Sequence, residues 1–112
     1  MEQQVDGTIS KINVELDSRL AQEKELEVRE LINDERRRVL AISIRAGGIL
    51  KRHRASEPIT VLCTMGEGRF HAGASLDESV EISAGTLVAL DPEIDHEVTA
   101  DSDLRILVTR FK

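Results

Sequence analysis

A chain of 112 residues carrying 21 acidic and 15 basic side chains, a net charge of -6 and an isoelectric point near 5.1 has room for one domain around a single core. The negative balance and an aromatic content of 2% exclude nucleic acid as a partner, since nothing draws in phosphate and almost nothing stacks on bases. No apolar run approaches the roughly 20 residues that span a bilayer, the start Met1–Asp6 lacks the basic and apolar regions of a signal peptide,, and the lone Cys63 closes no internal disulfide, so a cytoplasmic protein with no membrane partner is expected.

In chain order, the first third supports two readings. Residues 17–38 are crowded with Glu, Arg and Leu, and Leu16, Leu20, Val28, Leu31 and Ile32 partly fit a helical stripe,. Against a helix, Leu26 and Val28 alternate with charges, and Asn33-Asp34-Glu35 makes a good turn between 26–32 and 36–44. A hairpin is the favoured reading. Residues 1–35 are expected to pack as a strand or hairpin segment on a barrel formed by residues 36–112.

From Val39 onward the chain reads as short strands between turns, which predicts an all-β fold. Val39 to Ile44 is β-branched and apolar and ends at Gly47-Gly48. Ile59, Val61, Cys63 and Met65 alternate with Thr60, Leu62 and Thr64, so one face of that strand is buried,. Gly66-Glu67-Gly68 marks a turn, Arg69-Phe70-His71 resumes, and 72–78 is a polar connection. Further short strands fall at Val80–Ile82, Leu87–Leu90, Glu97–Thr99 and Leu104–Phe111, the last with Leu104, Ile106 and Val108 on one face. Gly66 and Gly85 serve tight turns rather than phosphate binding, because neither opens a helix.

The chemistry-bearing residues fall in two segments. Lys51 to Glu57 holds His53, and the stretch from Gly85 through Pro92 ends on His96. Folding can bring two imidazoles and the Glu57 carboxylate together on one metal or one substrate. Lys51 can meet an anionic group, with Arg52 and Arg54 pointing the other way into solvent, although a solvated basic patch is the favoured reading. His71 reads as a surface residue, Asp91, Glu93 and Asp95 as a solvated loop without calcium spacing, and Cys63 as a small buried hydrophobe.

This order of residues resembles a small single-domain cupin of the RmlC-like, conserved-barrel type. Gly48, Lys51-x-His53, Glu57 and the strand Pro58–Leu62 before Gly66-Glu67-Gly68 match the first cupin motif, and Gly85, Pro92 and His96 match the second. The resemblance covers about Arg36 to Phe111 and implies a double-stranded β-helix, or jelly-roll, barrel. It further implies that the first-motif histidines, the glutamate and the late histidine hold one ion, but Lys51 stands in the first of those positions, and a protonated lysine cannot ligate. His53, Glu57 and His96 then remain as a two-histidine, one-carboxylate set of the kind that suits non-haem iron. Odd-number parity from Lys51 through His53, Glu57, Ile59, Val61 and Cys63 points Glu57 inward if it opens its strand, and makes Lys51, Ile59, Val61 and Cys63 the candidate substrate-binding residues. A second alignment keeps a lone histidine before a Pro-Ile-Thr strand and leaves Glu57 as a turn residue. Both a small-molecule-binding barrel and a metal-dependent dioxygenase or isomerase acting on a small anionic substrate follow from this resemblance, with iron, manganese, zinc, nickel or no metal at the site. A homodimer is expected.

Overall fold

The alternation of apolar and polar side chains that begins near residue 26 is realised as two antiparallel sheets facing one another across the apolar side chains. The computed structural model describes residues 3–6, 9–12 and 25–112. Strands β1 (Gln3–Asp6) and β2 (Ile9–Ile12) pair with each other. Strands β3 (Leu26–Asn33), β4 (Arg37–Ile44), β6 (Ile59–Met65), β9 (Leu87–Leu90) and β11 (Leu104–Phe111) form a five-stranded sheet in the order β3-β4-β11-β6-β9. Strands β5 (Ile49–His53), β7 (Glu67–Ala72), β8 (Glu78–Ser83) and β10 (His96–Ala100) form the facing sheet in the order β5-β10-β7-β8.

The hairpin of the first third is present. Asp34 closes its turn by accepting the backbone N–H groups of Arg36 and Arg37, both at 2.9 Å, which is the local chemistry that favours Asp in turns. Strand β3 pairs with β4 along the five-stranded sheet, while residues 17–24, where the helical alternative began, lie outside the described residues.

The core is the set of side chains that the two sheets share. On β11, Leu104, Ile106 and Val108 point inward. Opposite them stand Ile44, Ile42 and Leu40 of β4, and Cys63 and Val61 of β6 pair with Ile106 and Val108. Phe70, Ile82 and Val98 close it from the facing sheet. Val39 and Ala41 alternate with the inward residues of β4 and join Leu31, Ile12, Ile32 and Leu107 in a second, smaller cluster, so the β3-β4-β11 part of the sheet is apolar on both faces.

Between β6 and β7 there is a single residue, Gly66, at φ +86°. There the chain leaves one sheet and enters the other, a sharp change of direction that the left-handed backbone region makes available to glycine. Gly85 also has positive φ, at +98°, and serves the turn between β8 and β9, as the sequence predicts.

Candidate functional site

Strands β5 and β10 are neighbours, and their pairing sets His53 directly opposite His96. Two positions further on, Val98 stands opposite Leu50, so three residues of β5 span two of β10. This β-bulge reverses the parity of β5. Leu50 packs against the core and His53 lines the barrel interior, although they are three residues apart. Lys51 shares His53's odd number and both residues are exposed, but only His53 stands on the wall of the interior cavity. The inserted residue defeats the simple alternation that would carry Lys51 inward.

The two imidazoles touch. Their ring centroids are 4.0 Å apart in an edge-to-face arrangement, with planes inclined at 66°. Phe70 stacks on the other side of His96 at 5.7 Å. Each histidine donates Nδ1–H to the carbonyl two residues before it, His53 to Lys51 O at 2.8 Å and His96 to Ile94 O at 3.0 Å. Since a carbonyl only accepts, these bonds place the proton of each neutral ring on Nδ1 and leave both Nε2 atoms as acceptors. His96 is 3% exposed, and burial, aided by the neighbouring His53 charge, holds its pKa below the ordinary 6.5, so it is a neutral imidazole at pH 7.

These rings face a chamber of about 90 Å3 whose walls include Ile59, Val61, Phe70, Val98 and Ile106. A larger cleft of about 600 Å3 opens beside it along the edge strands β8 and β9. Ile59 and Phe70 line both spaces and form the partition between them. Of the expected substrate-binding residues, Ile59 and Val61 therefore stand on the chamber, and Lys51 and Cys63 do not. Cys63 is 1% exposed behind the wall, its thiol directed to the Met65 and Gly66 carbonyls and its pKa pushed up by burial. A thiol reagent is accordingly expected to leave the native protein unlabelled over minutes and to label it stoichiometrically in denaturant; rapid native labelling would contradict this placement.

Glu57 is not assembled with the histidines. After His53 the chain leaves the strand, so parity does not carry through residues 54–58, and the carboxylate turns to β11. Arg110 donates Nε–H at 3.0 Å and Nη2–H at 2.8 Å to Glu57 Oε1, and Ser56 Oγ donates to Oε2 at 3.1 Å. The guanidinium bond is the largest influence holding the Glu57 carboxyl below its ordinary value. Among the described residues no three His, Cys, Asp or Glu side chains are grouped to hold a metal ion. The residues present do not fit the expected three-ligand centre.

Three residues that sequence reasoning assigned to solvent brace the site. Arg54 Nε donates to Asp95 Oδ1 at 2.7 Å, Arg52 Nε and Nη2 donate to Oδ2 at 2.9 and 2.6 Å, and Arg52 also reaches the Ala74 carbonyl. The Asp95 side chain is only 15% exposed. As the residue preceding His96, it holds the arginines on either side of His53, which fixes the two histidine segments together. The loop is held further by Glu93 N on Ala55 O and Gly73 N on Asp95 O. His71 is half-buried, with Nε2 at 3.1 Å from Thr99 Oγ1.

Acid is expected to unfold the protein in two stages. Below His96's ordinary 6.5 the unfolded chain takes up a proton that the folded chain resists, so stability falls as pH drops through and below that value,. Asp95 and Glu57 have folded pKa values depressed from 3.8 and 4.5; the stability they contribute is complete above those values and is lost as pH falls through the folded ones. Denaturant midpoints measured from pH 7.5 to 2.5 should show both declines, and His96→Gln should remove the first.

No protein-family model matches the sequence, and no curated protein matches it. Solved structures do. An RmlC-like cupin from Desulfovibrio desulfuricans superposes with a TM-score of 0.77 at 20% identity, covering 88% of this chain and 93% of that one. The fold is the cupin barrel. A conserved protein of unknown function from Streptococcus pyogenes gives a TM-score of 0.75 at 17% identity over 91% and 90% of the two chains. Salicylate 1,2-dioxygenase from Pseudoaminobacter salicylatoxidans gives 0.70 at 11% identity, with 77% of this cupin barrel matched to 26% of that longer chain. The all-β jelly-roll architecture expected from the sequence is thereby shown.

Proposed function

We propose that this cupin barrel binds a small organic molecule carrying a hydrogen-bond donor, received in the chamber by the Nε2 atoms of His53 and His96 and needing no resident metal. The observation that carries the reading is the pair of touching imidazoles with both Nδ1–H groups committed to backbone carbonyls. Two preset acceptors in a chamber walled largely by aliphatic side chains favour a ligand that donates from a hydroxyl or amine. His96, neutral and buried, is also suited to take a proton from such a donor.

The competing reading is a metal-dependent enzyme, such as a dioxygenase or isomerase, favoured by the fold's likeness to salicylate dioxygenase and by the tautomer, which is also the one a metal-bound histidine needs. Metal analysis of protein purified without chelator separates the two. Substoichiometric metal, unchanged in His53→Ala and His96→Ala, together with propane-1,2-diol binding that both variants lose, is the expected result. Stoichiometric iron, manganese, zinc or nickel that disappears in both variants would overturn the metal-free reading.

A further inference from the structure

In a protein of net charge -6, every ionisable side chain that lines the histidine chamber among the described residues is basic: His53, Arg54, His96 and Arg110. Arg110 is there by strand register. It continues the inward alternation of Leu104, Ile106 and Val108 on β11 and stands opposite Ile59 of β6, where an aliphatic residue would otherwise finish the core. A guanidinium on the core face at the end of an apolar strand is costly to desolvate, and its acidic partner among the described residues, Glu57, does not line the chamber. Glu57 takes Nε–H and one Nη2–H on a single oxygen. That leaves the end-on edge of the planar fork, between Nη1 and Nη2, directed away from Glu57. Arg54 is held likewise, its Nε on Asp95.

We infer that the chamber takes a small 2-hydroxy carboxylate, with the carboxylate on the end-on edge of Arg110 and the hydroxyl donating to the histidine Nε2 acceptors. The inference rests on the binding reading above and names its ligand class. Acceptors on one wall and fixed cationic donors on another match a molecule with both a hydroxyl and a carboxylate, and mismatch a molecule with one alone. Size narrows the class further. A chamber of about 90 Å3 restricts the ligand to a body of a few carbons, so lactate is the probe of choice. Arg54, whose side chain is 55% exposed, stands at the rim, where it attracts the anion toward the chamber.

Calorimetry with lactate, propionate and propane-1,2-diol at low salt tests this. Lactate is expected to bind at least about tenfold more tightly than either analogue, the increment of a charge-assisted bond over a neutral one. Arg110→Gln combined with Glu57→Gln, which leaves no orphaned carboxylate, should reduce lactate to the affinity of the diol, while Arg110→Lys should restore part of the preference. His96→Ala should reduce lactate to the level of propionate. Diol binding equal to lactate binding, with both lost in His96→Ala, would overturn the hydroxy-acid assignment and leave the binding reading standing. Failure of all three probes to bind the folded wild-type protein would overturn both.

Discussion

Gly66→Ala is expected to cost about 2–5 kcal/mol of folding stability, combining about 1–2 for an L-residue in the left-handed region with about 1–3 for overpacking. An alanine Cβ there would lie 2.0 Å from the Asp103 carbonyl oxygen and 3.0 Å from Leu104 Cα, with φ at +86°. These obstacles are backbone and cannot swing aside. The 101–103 loop that presents them is itself pinned: Asp101 N and Ser102 N donate to Glu67 O, Ser102 Oγ accepts Glu67 N, and Asp103 Oδ1 accepts Ala46 N. Against a total stability of about 5–15 kcal/mol for a domain of this kind, that loss leaves a marginal or unfolded chain. Gly85→Ala is the informative comparison, because φ is +98° but nothing lies within 4 Å of the added methyl. It should cost only the backbone share, about 1–2 kcal/mol. Urea unfolding of the two variants measures the difference, and equal losses would show that the Asp103 contact is unimportant.

The same corner illustrates what could be read from residues alone. Gly66 marks a turn in any reading, and β6 and β11 announce themselves by alternation, because a strand buried on one face must place an apolar side chain at every second position. The 26–44 hairpin was legible for the same reason, helped by Asp34 at its turn. Strand β5 was not. Ile49-Leu50-Lys51-Arg52-His53 does not alternate, and its bulge is a property of pairing with β10 rather than of the strand itself. Parity counted through it sent Lys51 inward, and counted on through the following loop it gave Glu57 to the histidines. Arg110 carried a usable signal, the parity it shares with Val108. A charge near a chain end resembles a solvated tail, however, and the partner that explains it is 53 positions away. Asp95 was hidden similarly: among Asp91, Glu93 and Asp95, only the fold reveals which acid meets two arginines 43 and 41 positions earlier.

Phe70→Ala is expected to destabilise the barrel by about 3 kcal/mol, the low end of the range for truncating a buried phenylalanine, and to change the chemistry of His96 at the same time. Phe70 is 2% exposed, stacks on His96 and separates the chamber from the open cleft. Without the ring, the 90 Å3 and 600 Å3 spaces become continuous. Water can then enter beside a polar imidazole, so the void is partly refilled rather than left dry, which is why the lower figure is expected. Hydration also removes the main cause of the His96 shift, since burial is the largest influence depressing it. Its pKa should rise toward 6.5, and the first stage of acid destabilisation should shrink accordingly. Phe70→Leu, which keeps an apolar partition, should lose less stability and leave His96 depressed. Urea unfolding together with NMR titration of the His96 ring distinguishes these outcomes. An unshifted His96 in Phe70→Ala would mean that the opposite wall, not Phe70, keeps water from the imidazole, and the chamber would then have to be regarded as sealed from the cleft by Ile59.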